Sequence, residues 1–207
     1  MTASDPKKIP RFSLLERAVH WSVALAFVYT VLTGLSLWSP RLYWLSTVLG
    51  GGSTVAQWHP WAGLLFAGVF SAMFRAWRRP MRLDRDDRLW LRHSHRFIRH
   101  EESELPESGR FNAGQKALFW TQAACGLLLV LTGIVLWWPE WMPRALRVAA
   151  VLIHPVAAVI SIGGLIVHIY MGTAAVPGAL RSMVEGWVSA GWARTHHAKW
   201  YREIKGR

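Results

Sequence analysis

The stretch from Val148 to Leu180 constrains the fold most, because it runs for thirty-three residues without a formal charge. About 20 apolar residues in a helix cross the ~30 Å hydrocarbon core of a bilayer, so this stretch predicts a membrane-spanning helix. Two histidines, His154 and His168, lie within it. Their spacing is just under four helical turns, so they share one face and lie roughly 21 Å apart along the axis. Because desolvating an ionisable side chain in a membrane is costly, both histidines indicate function.

The other apolar stretches of the chain have the same character. Spans are predicted at roughly residues 18–40, 53–76, 115–139 and 148–175. A polar cytoplasmic loop, residues 77–114, separates the second span from the third. Residues 176–207 form a basic tail whose spaced tryptophans (Trp187, Trp192 and Trp200) indicate an amphipathic surface helix. The predicted fold is an all-α integral membrane protein: a four-transmembrane-helix bundle in residues 1–175, then the tail. We predict no internal repeat.

The distribution of positive charge predicts the orientation in the membrane. The N-terminal segment, the polar segment from Arg75 to Lys116 and the tail carry twenty-one of the 24 Lys and Arg residues. Because cytoplasmic loops are enriched in Lys and Arg, both termini and the long loop are predicted to be cytoplasmic. The same rule accounts for the net charge of +12 without a nucleic acid partner. No cleavable signal peptide is expected, because no small-residue cleavage site follows a compact apolar core.

This topology brings four histidines to two depths. His20 and His168 fall near the inner surface, and His59 and His154 near the outer surface. Two imidazoles at each depth, supplied by different helices, fit axial ligation of a haem iron from its two faces. A structural zinc site would need four convergent ligands. Each histidine alone could also be a buried hydrogen-bonded residue, and the matched depths favour ligation.

Other residues give secondary expectations. The glycines that would let a flat macrocycle lie between helices are Gly34, Gly63, Gly68, Gly163 and Gly164. Pro60 and Pro155 follow the two outer histidines and predict a kink or a helix start at each. The histidines predicted to be solvated are His93, His95, His100, His196 and His197. A lone cysteine, Cys125, excludes an intrachain disulfide framework and is expected to be packed in an apolar run.

Several short sequence motifs, taken together, point to a known family. They are Arg17-Ala18-Val19-His20-Trp21, His59-Pro60, Leu152-Ile153-His154, His168-Ile169-Tyr170-Met171, Arg110-Phe111-Asn112-Ala113-Gly114-Gln115-Lys116 and His196-His197-Ala198-Lys199-Trp200-Tyr201-Arg202-Glu203. Over nearly the whole chain the sequence resembles the cytochrome b (gamma) subunit of membrane-bound respiratory formate dehydrogenase. The Asn-Ala-Gly-Gln-Lys and Trp-Tyr-Arg-Glu strings are the specific part of this resemblance.

The resemblance implies an electron path through the bacterial inner membrane. A molybdenum or tungsten catalytic (alpha) subunit would oxidise formate outside, and an iron–sulfur (beta) subunit would pass the electrons to this chain. Two haem b groups would carry them inward, the outer held by His59 and His154 and the inner by His20 and His168. Menaquinone or ubiquinone would accept them on the cytoplasmic side. No formate-oxidising site is expected here, and a higher oligomer of the heterotrimer stays open.

The resemblance also places the quinone beside the inner haem, near Asn112, Gly114, Gln115 and His168. The amides of Asn112 and Gln115 can hydrogen-bond a quinone carbonyl. The alternative is that Asn112 caps the third span and Gln115 is a polar residue of its first turn.

Three other functions stay open. The chain could be the cytochrome b subunit of another quinone-linked complex, such as a hydrogenase. It could instead be a stand-alone dihaem quinone oxidoreductase, active when purified alone. A haem-free membrane anchor would lack a cytochrome b absorption spectrum.

Overall fold

The computed structural model describes residues 8–94 and 106–206. The long helices are α1 (Leu14–Trp38), α3 (Gly52–Trp77), α5 (Ala113–Trp137) and α6 (Arg144–Tyr170). The shorter helices are α2 (Trp44–Val48), α4 (Arg85–Arg92), α7 (Ala179–Val184), α8 (Ala190–His196) and α9 (Ala198–Lys205). Two 3₁₀ turns, Pro40–Leu42 and Pro139–Trp141, follow α1 and α5, and a π-helical turn, Met171–Ala175, follows α6. Strands β1 (Lys8–Pro10) and β2 (Trp187–Ser189) complete the described elements.

Local sequence explains where three of these helices begin. Ser13 and Glu16 form a reciprocal cap on α1, in which each side chain accepts a hydrogen bond from the other residue's backbone N–H. Asp84 and Asp87 do the same for α4. Asn112 and Gln115, described below, cap α5 in the same way. Such caps satisfy N–H groups that have no partner inside the helix.

Within residues 8–94 and 106–206, three long helices are apolar and long enough to cross a membrane: Leu14–Trp38, Ala113–Trp137 and Arg144–Ala175. Helix α3 has a similar length of 26 residues, but Gln57, His59 and Arg75 lower its mean hydropathy. Many apolar side chains on these helices are exposed, as on Ile166 (63%) and Leu152 (64%). An exposed apolar surface of this extent is expected of an all-α membrane protein.

The described chain forms two compact units. The first lies within Met1–Arg17, Trp77–Trp120 and His168–Arg207, and the second within Ala18–Ala76 and Thr121–Val167. In the second unit, Val23 and Phe27 of α1 pack with Phe66 of α3, and Leu165 of α6 packs against them. Phe27 and Phe66 have ring centroids 5.4 Å apart. Helices α1, α3 and α6 therefore share an apolar core in this unit.

In the first unit, the segment before α1 pairs with the tail. Strand β1 is antiparallel to β2, with Ile9 opposite Val188. Ile9 and Val188 pack with Trp200 of α9 in one buried cluster. Between α4 and α5, Lys116 Nζ lies 2.5 Å from Asp87 Oδ2, and both side chains are only 9% exposed. A buried pair of this kind fixes α4 against the start of α5, since removing one partner would leave a buried charge.

The tail differs from the single amphipathic surface helix predicted from the sequence. Gly178 and Gly186 have φ of 88° and 87°, in the left-handed region that favours glycine. Gly178 lies just before α7 and Gly186 just after it. After Gly186 the chain becomes extended and pairs with β1. The predicted helix is therefore replaced by three short helices and a strand. The short two-stranded sheet is also a departure from a purely helical architecture.

Candidate functional site

The second unit brings together the two histidines predicted at the outer level. His59 is on α3 and His154 on α6, and both are half-buried. Their ring centroids are 6.4 Å apart and their planes differ by 75°. The sequence separates the two residues by almost half of the chain, so helix packing creates this pair.

The separation of the two rings is compatible with one shared metal ion. An imidazole nitrogen binds a metal at about 2 Å. A ring nitrogen lies about 1.1 Å from the centre of a five-membered ring with bonds near 1.33 Å. Two imidazoles on opposite sides of one iron therefore have centroids about 6.2 Å apart, close to the observed 6.4 Å.

The two histidines line a cavity of about 510 Å³. All four long helices contribute to its wall, which is mostly aliphatic and aromatic. Sites for small ligands and cofactors are commonly ~300–1,000 Å³ and largely apolar, with a few polar groups. A flat apolar macrocycle with a central iron fits both the lining and the donor pair.

Each outer histidine has a threonine partner that the sequence analysis missed. Thr33 Oγ1 on α1 lies 2.8 Å from His59 Nδ1. Thr132 Oγ1 on α5 lies 2.8 Å from His154 Nδ1. The Nδ1 atoms are thereby engaged, which leaves the Nε2 atoms for a ligand.

These threonines belong to an internal repeat, so the prediction of no repeat was wrong. The pattern Val-Leu-Thr-Gly-X-X-Leu-Trp-X-Pro occurs at residues 31–40 and again at 130–139. Each copy ends a long helix at its tryptophan and begins a 3₁₀ turn at its proline. The next long helix in each half carries a His-Pro pair. The His59–His154 site is built from two similar helical hairpins, and comparing the halves of the sequence could have revealed this repeat.

Glycine and proline support this site differently from the prediction. A Cβ on Gly34 would lie 3.1 Å from His59 Cε1, and one on Gly133, which was not predicted, 3.5 Å from His154 Cε1. Gly63, Gly68 and Gly163 have no atom within 4 Å of such a Cβ. Pro60 and Pro155 lie inside helices α3 and α6, so neither histidine begins a helix.

The two histidines predicted at the inner level belong to different units, and each is described by itself. His20 is half-buried on α1, with its ring edge-on to Trp21 at 5.4 Å. His168 is exposed on α6, two residues before the helix ends. Helix α6 is continuous through His154 and His168, so their spacing corresponds to about 21 Å along its axis.

Three of the four predicted quinone residues, Asn112, Gly114 and Gln115, lie at the start of α5. Asn112 Oδ1 accepts from the Gln115 N–H at 2.8 Å, and Gln115 Oε1 accepts from the Asn112 N–H at 3.1 Å. The capping interpretation is therefore confirmed. The caps use only the amide oxygens of the two side chains. The amide nitrogens, Asn112 Nδ2 and Gln115 Nε2, can therefore still donate hydrogen bonds to a carbonyl ligand. A cleft of about 10 Å³ beside Ala113 holds no more than a water molecule, so it is too small for a quinone ring.

His197 contradicts its predicted solvation, because only 2% of it is exposed. Its Nδ1–H donates to Gly109 O at 2.6 Å, and its Nε2 accepts from Arg11 Nη2 at 3.0 Å. Burial and then the Arg11 charge lower the pKa of His197 to about 3. Burial, with a smaller contribution from Arg110, lowers the pKa of Arg11 to about 9. The neutral imidazole is a structural acceptor here.

The other secondary expectations have mixed outcomes. His196 is half-buried, with its ring 5.0 Å from Trp192. His93 Nδ1 lies 2.9 Å from Leu89 O near the surface. His95 and His100 lie outside the described residues. Cys125 is buried and free, as predicted.

Apolar helices of membrane-spanning length, with a facing imidazole pair in an apolar cavity, define the class of membrane-bound cytochromes b. The family model of prokaryotic cytochrome b561 matches residues 11–186, and the chain belongs to this family. It is a haem-containing membrane electron-transfer protein, and the family implies haem b.

Curated relatives are similar over almost their full length. The formate dehydrogenase cytochrome b556(fdo) subunit of Escherichia coli K12 is 35% identical over 95% of this chain and 93% of its own. The nitrate-inducible formate dehydrogenase cytochrome b556(Fdn) subunit of the same organism is 33% identical over 98% and 94%. The formate dehydrogenase cytochrome b556 subunit of Haemophilus influenzae is 32% identical over 97% and 85%.

Proposed function

We propose that this chain is the dihaem cytochrome b subunit of a formate dehydrogenase, carrying electrons across the membrane to quinone. The observation that carries the proposal is the His59–His154 pair, with centroids 6.4 Å apart in an apolar cavity of about 510 Å³. Haem b, when bound, supplies an iron that accepts and releases one electron at a time. The names of the curated relatives support formate dehydrogenase as the complex.

His59 and His154 hold the outer of two haem b groups in this proposal, and His20 and His168 hold the inner one. The support for two levels is the spacing on α6, where two of these histidines are almost four turns apart on one face. The wall around the outer pair is mostly apolar, and the helices that carry the two imidazoles hold them in place to ligate the iron.

The proposed topology follows from helix length and charge. Helices α1, α3, α5 and α6 each span the bacterial inner membrane, so residues 1–175 form a dihaem four-helix domain. The concentration of Lys and Arg outside the two outer connections puts both termini, the loop 77–114 and the tail 176–207 in the cytoplasm.

The partners are those of a formate dehydrogenase heterotrimer. An iron–sulfur (beta) subunit delivers electrons on the outer side, and a molybdenum or tungsten (alpha) subunit carries the formate chemistry. The outer ends of the helices are rich in tryptophan, for example Trp38, Trp138 and Trp141, which are 43–80% exposed. Aromatic residues concentrate at both membrane surfaces, so these tryptophans mark one edge of the bilayer, and the Lys and Arg distribution assigns that edge to the outside.

Quinone reduction belongs at the cytoplasmic end of α5 in this proposal, beside Asn112, Gly114, Gln115 and His168. The support is that the caps leave both amide NH₂ groups as donors, which is what a quinone carbonyl needs. Gly114 is half-buried between them, and a side chain at this position would extend toward Asn112 and Trp90. The place of His168 at this site rests on the family resemblance.

The test is haem content in the intact purified complex. Replacing His59 or His154 by Ala should lower the ratio from two haems to one by removing the outer haem, and replacing His20 or His168 should remove the inner one. His196→Ala, on the half-buried tail histidine, is the matched control and should retain two. A ratio near two in all four ligand variants would contradict the proposal.

Copurification separates this function from the other quinone-linked complexes. Recovery of the chain with formate-oxidising and iron–sulfur subunits is the expected result. Recovery with hydrogenase subunits, or quinone oxidoreductase activity of the chain alone, would require a different assignment.

A further inference from the structure

The hydrogen bonds of Thr33 point to one arrangement of protons at the outer pair. Its hydroxyl carries one hydrogen, and Oγ1 lies 2.9 Å from Tyr29 O and 3.0 Å from Thr30 O. Carbonyl oxygens only accept, so this hydroxyl can donate to the helix backbone and present a lone pair to His59 Nδ1, which lies 2.8 Å away. In that arrangement Nδ1 of His59 carries the ring proton.

Thr132 repeats this arrangement in the other hairpin. Its Oγ1 lies 2.6 Å from Leu128 O, 3.4 Å from Leu129 O and 2.8 Å from His154 Nδ1. The hydroxyl can again donate to the carbonyl four residues earlier and accept from the imidazole. The Leu129 carbonyl is a backbone hydrogen-bond partner of the same ring, and as an acceptor it favours a proton on the imidazole nitrogen that faces it.

We propose that Thr33 and Thr132 are matched positioning residues that fix both outer imidazoles in the Nδ1–H form and so direct two Nε2 lone pairs at one iron. A neutral imidazole has one protonated and one free nitrogen, and the bond made by the first decides which nitrogen can ligate. The inference rests on the proposed outer haem site and assigns two residues beyond its ligands.

The neighbouring glycines make this hydrogen bond sterically accessible. Gly34 follows Thr33, and its missing Cβ would lie only 3.1 Å from His59 Cε1. Gly133 follows Thr132, and its missing Cβ would lie 3.5 Å from His154 Cε1. The ring can therefore lie against the helix that supplies the hydroxyl. This explains why the Thr-Gly pair occurs in both copies of the repeat.

The threonines should also set the reduction potential of the outer haem. A partner that accepts from Nδ1–H raises the basicity of the ligating nitrogen. A more basic ligand favours ferric over ferrous iron, so the threonines lower the potential. Losing one hydroxyl should shift the ferric–ferrous equilibrium about tenfold toward the ferrous form, which corresponds to about 59 mV for one electron.

The experiment compares four single variants in the purified complex. Thr33→Val and Thr132→Val keep the shape but remove the hydroxyl, whereas Thr33→Ser and Thr132→Ser keep it. Haem content and a spectroscopic redox titration are measured, with His59→Ala identifying the signal of the outer haem. We expect the Val variants to raise the reduction potential of the outer haem alone, which corresponds to a shift of about tenfold in its ferric–ferrous equilibrium. The Ser variants should keep a potential near that of the wild type.

The outcomes distinguish this inference from the proposed function. Two haems with unchanged potentials in both Val variants would overturn the positioning role. Loss of the outer haem in Val but not in Ser variants would support it, and loss in both pairs would assign the threonines to packing and overturn it. If His59→Ala retains two haems, the proposed function fails instead, whatever the threonine variants do.

Discussion

Acidification should loosen the first unit through His197. In the folded chain Nε2 of this ring accepts from Arg11 Nη2 at 3.0 Å, and Nδ1 donates to Gly109 O. A second ring proton would remove the acceptor and put a positive charge against a buried guanidinium. The other titratable neighbour is His196, whose charge acts in the same direction. The rings of Trp192 and Trp200 pack around the pair and offer no negative charge.

The magnitude follows from the two pKa values of His197. Its pKa is about 3 in the folded state and 6.5 in its ordinary environment. Because the folded pKa is the lower one, the stabilisation is fully present above pH 6.5 and is lost as the pH falls from 6.5 toward 3. Each pH unit in that window costs about 1.4 kcal/mol. At pH 5 the loss is about 2 kcal/mol, or roughly thirtyfold in the opening equilibrium.

Hydrogen exchange in the intact complex measures this local opening. Peptides covering β2 to α9 are compared at pH 7.5 and pH 5.0 after correction for the intrinsic exchange rate. The wild type should lose protection by roughly thirtyfold. His197→Gln, which keeps a donor and an acceptor but does not titrate, should lose much less, and His196→Gln should behave like the wild type. Equal losses in the wild type and in His197→Gln would refute the reasoning.

Two further predictions concern electron transfer. Asn112→Leu and Gln115→Leu should each slow quinone reduction with both haems retained. The variants Asn112→Asp and Gln115→Glu keep the capping oxygen but remove the amide donor, so they should slow quinone reduction as well. Normal quinone turnover in the Asp and Glu variants would show that these residues only cap the helix. In proteoliposomes of the complex, external formate should make the interior negative and alkaline. The interior becomes negative because each electron crosses inward, against a field worth about 2.3 kcal/mol per 100 mV. It becomes alkaline because the quinone takes up its protons from the interior. Electroneutral turnover, or an acidified interior, would contradict the topology or the cytoplasmic quinone site.

The sequence by itself determined the elements that depend on near neighbours. Uncharged runs predicted the four long helices to within a few residues, because burying a charge in a bilayer is costly. The spacing of His154 and His168 gave their common face directly, because helix geometry is fixed. The cap formed by Asn112 and Gln115 was also visible, since three-residue spacing suffices to form it.

Only the tertiary structure decided which distant residues meet. The sequence placed His59 and His154 at one depth, but their 6.4 Å separation depends on how the helices pack. Thr33 and Thr132 look like ordinary helix residues until packing brings an imidazole within 2.8 Å of each hydroxyl.

The burial of His197 shows the same limit in the tail. Its local sequence is basic and polar, which predicts solvation. The structure instead supplies Gly109 O and Arg11 as partners, which lie 88 and 186 residues away. A buried polar ring is stable only when such partners form hydrogen bonds with it. The local sequence does not predict which distant donors and acceptors will lie next to the ring.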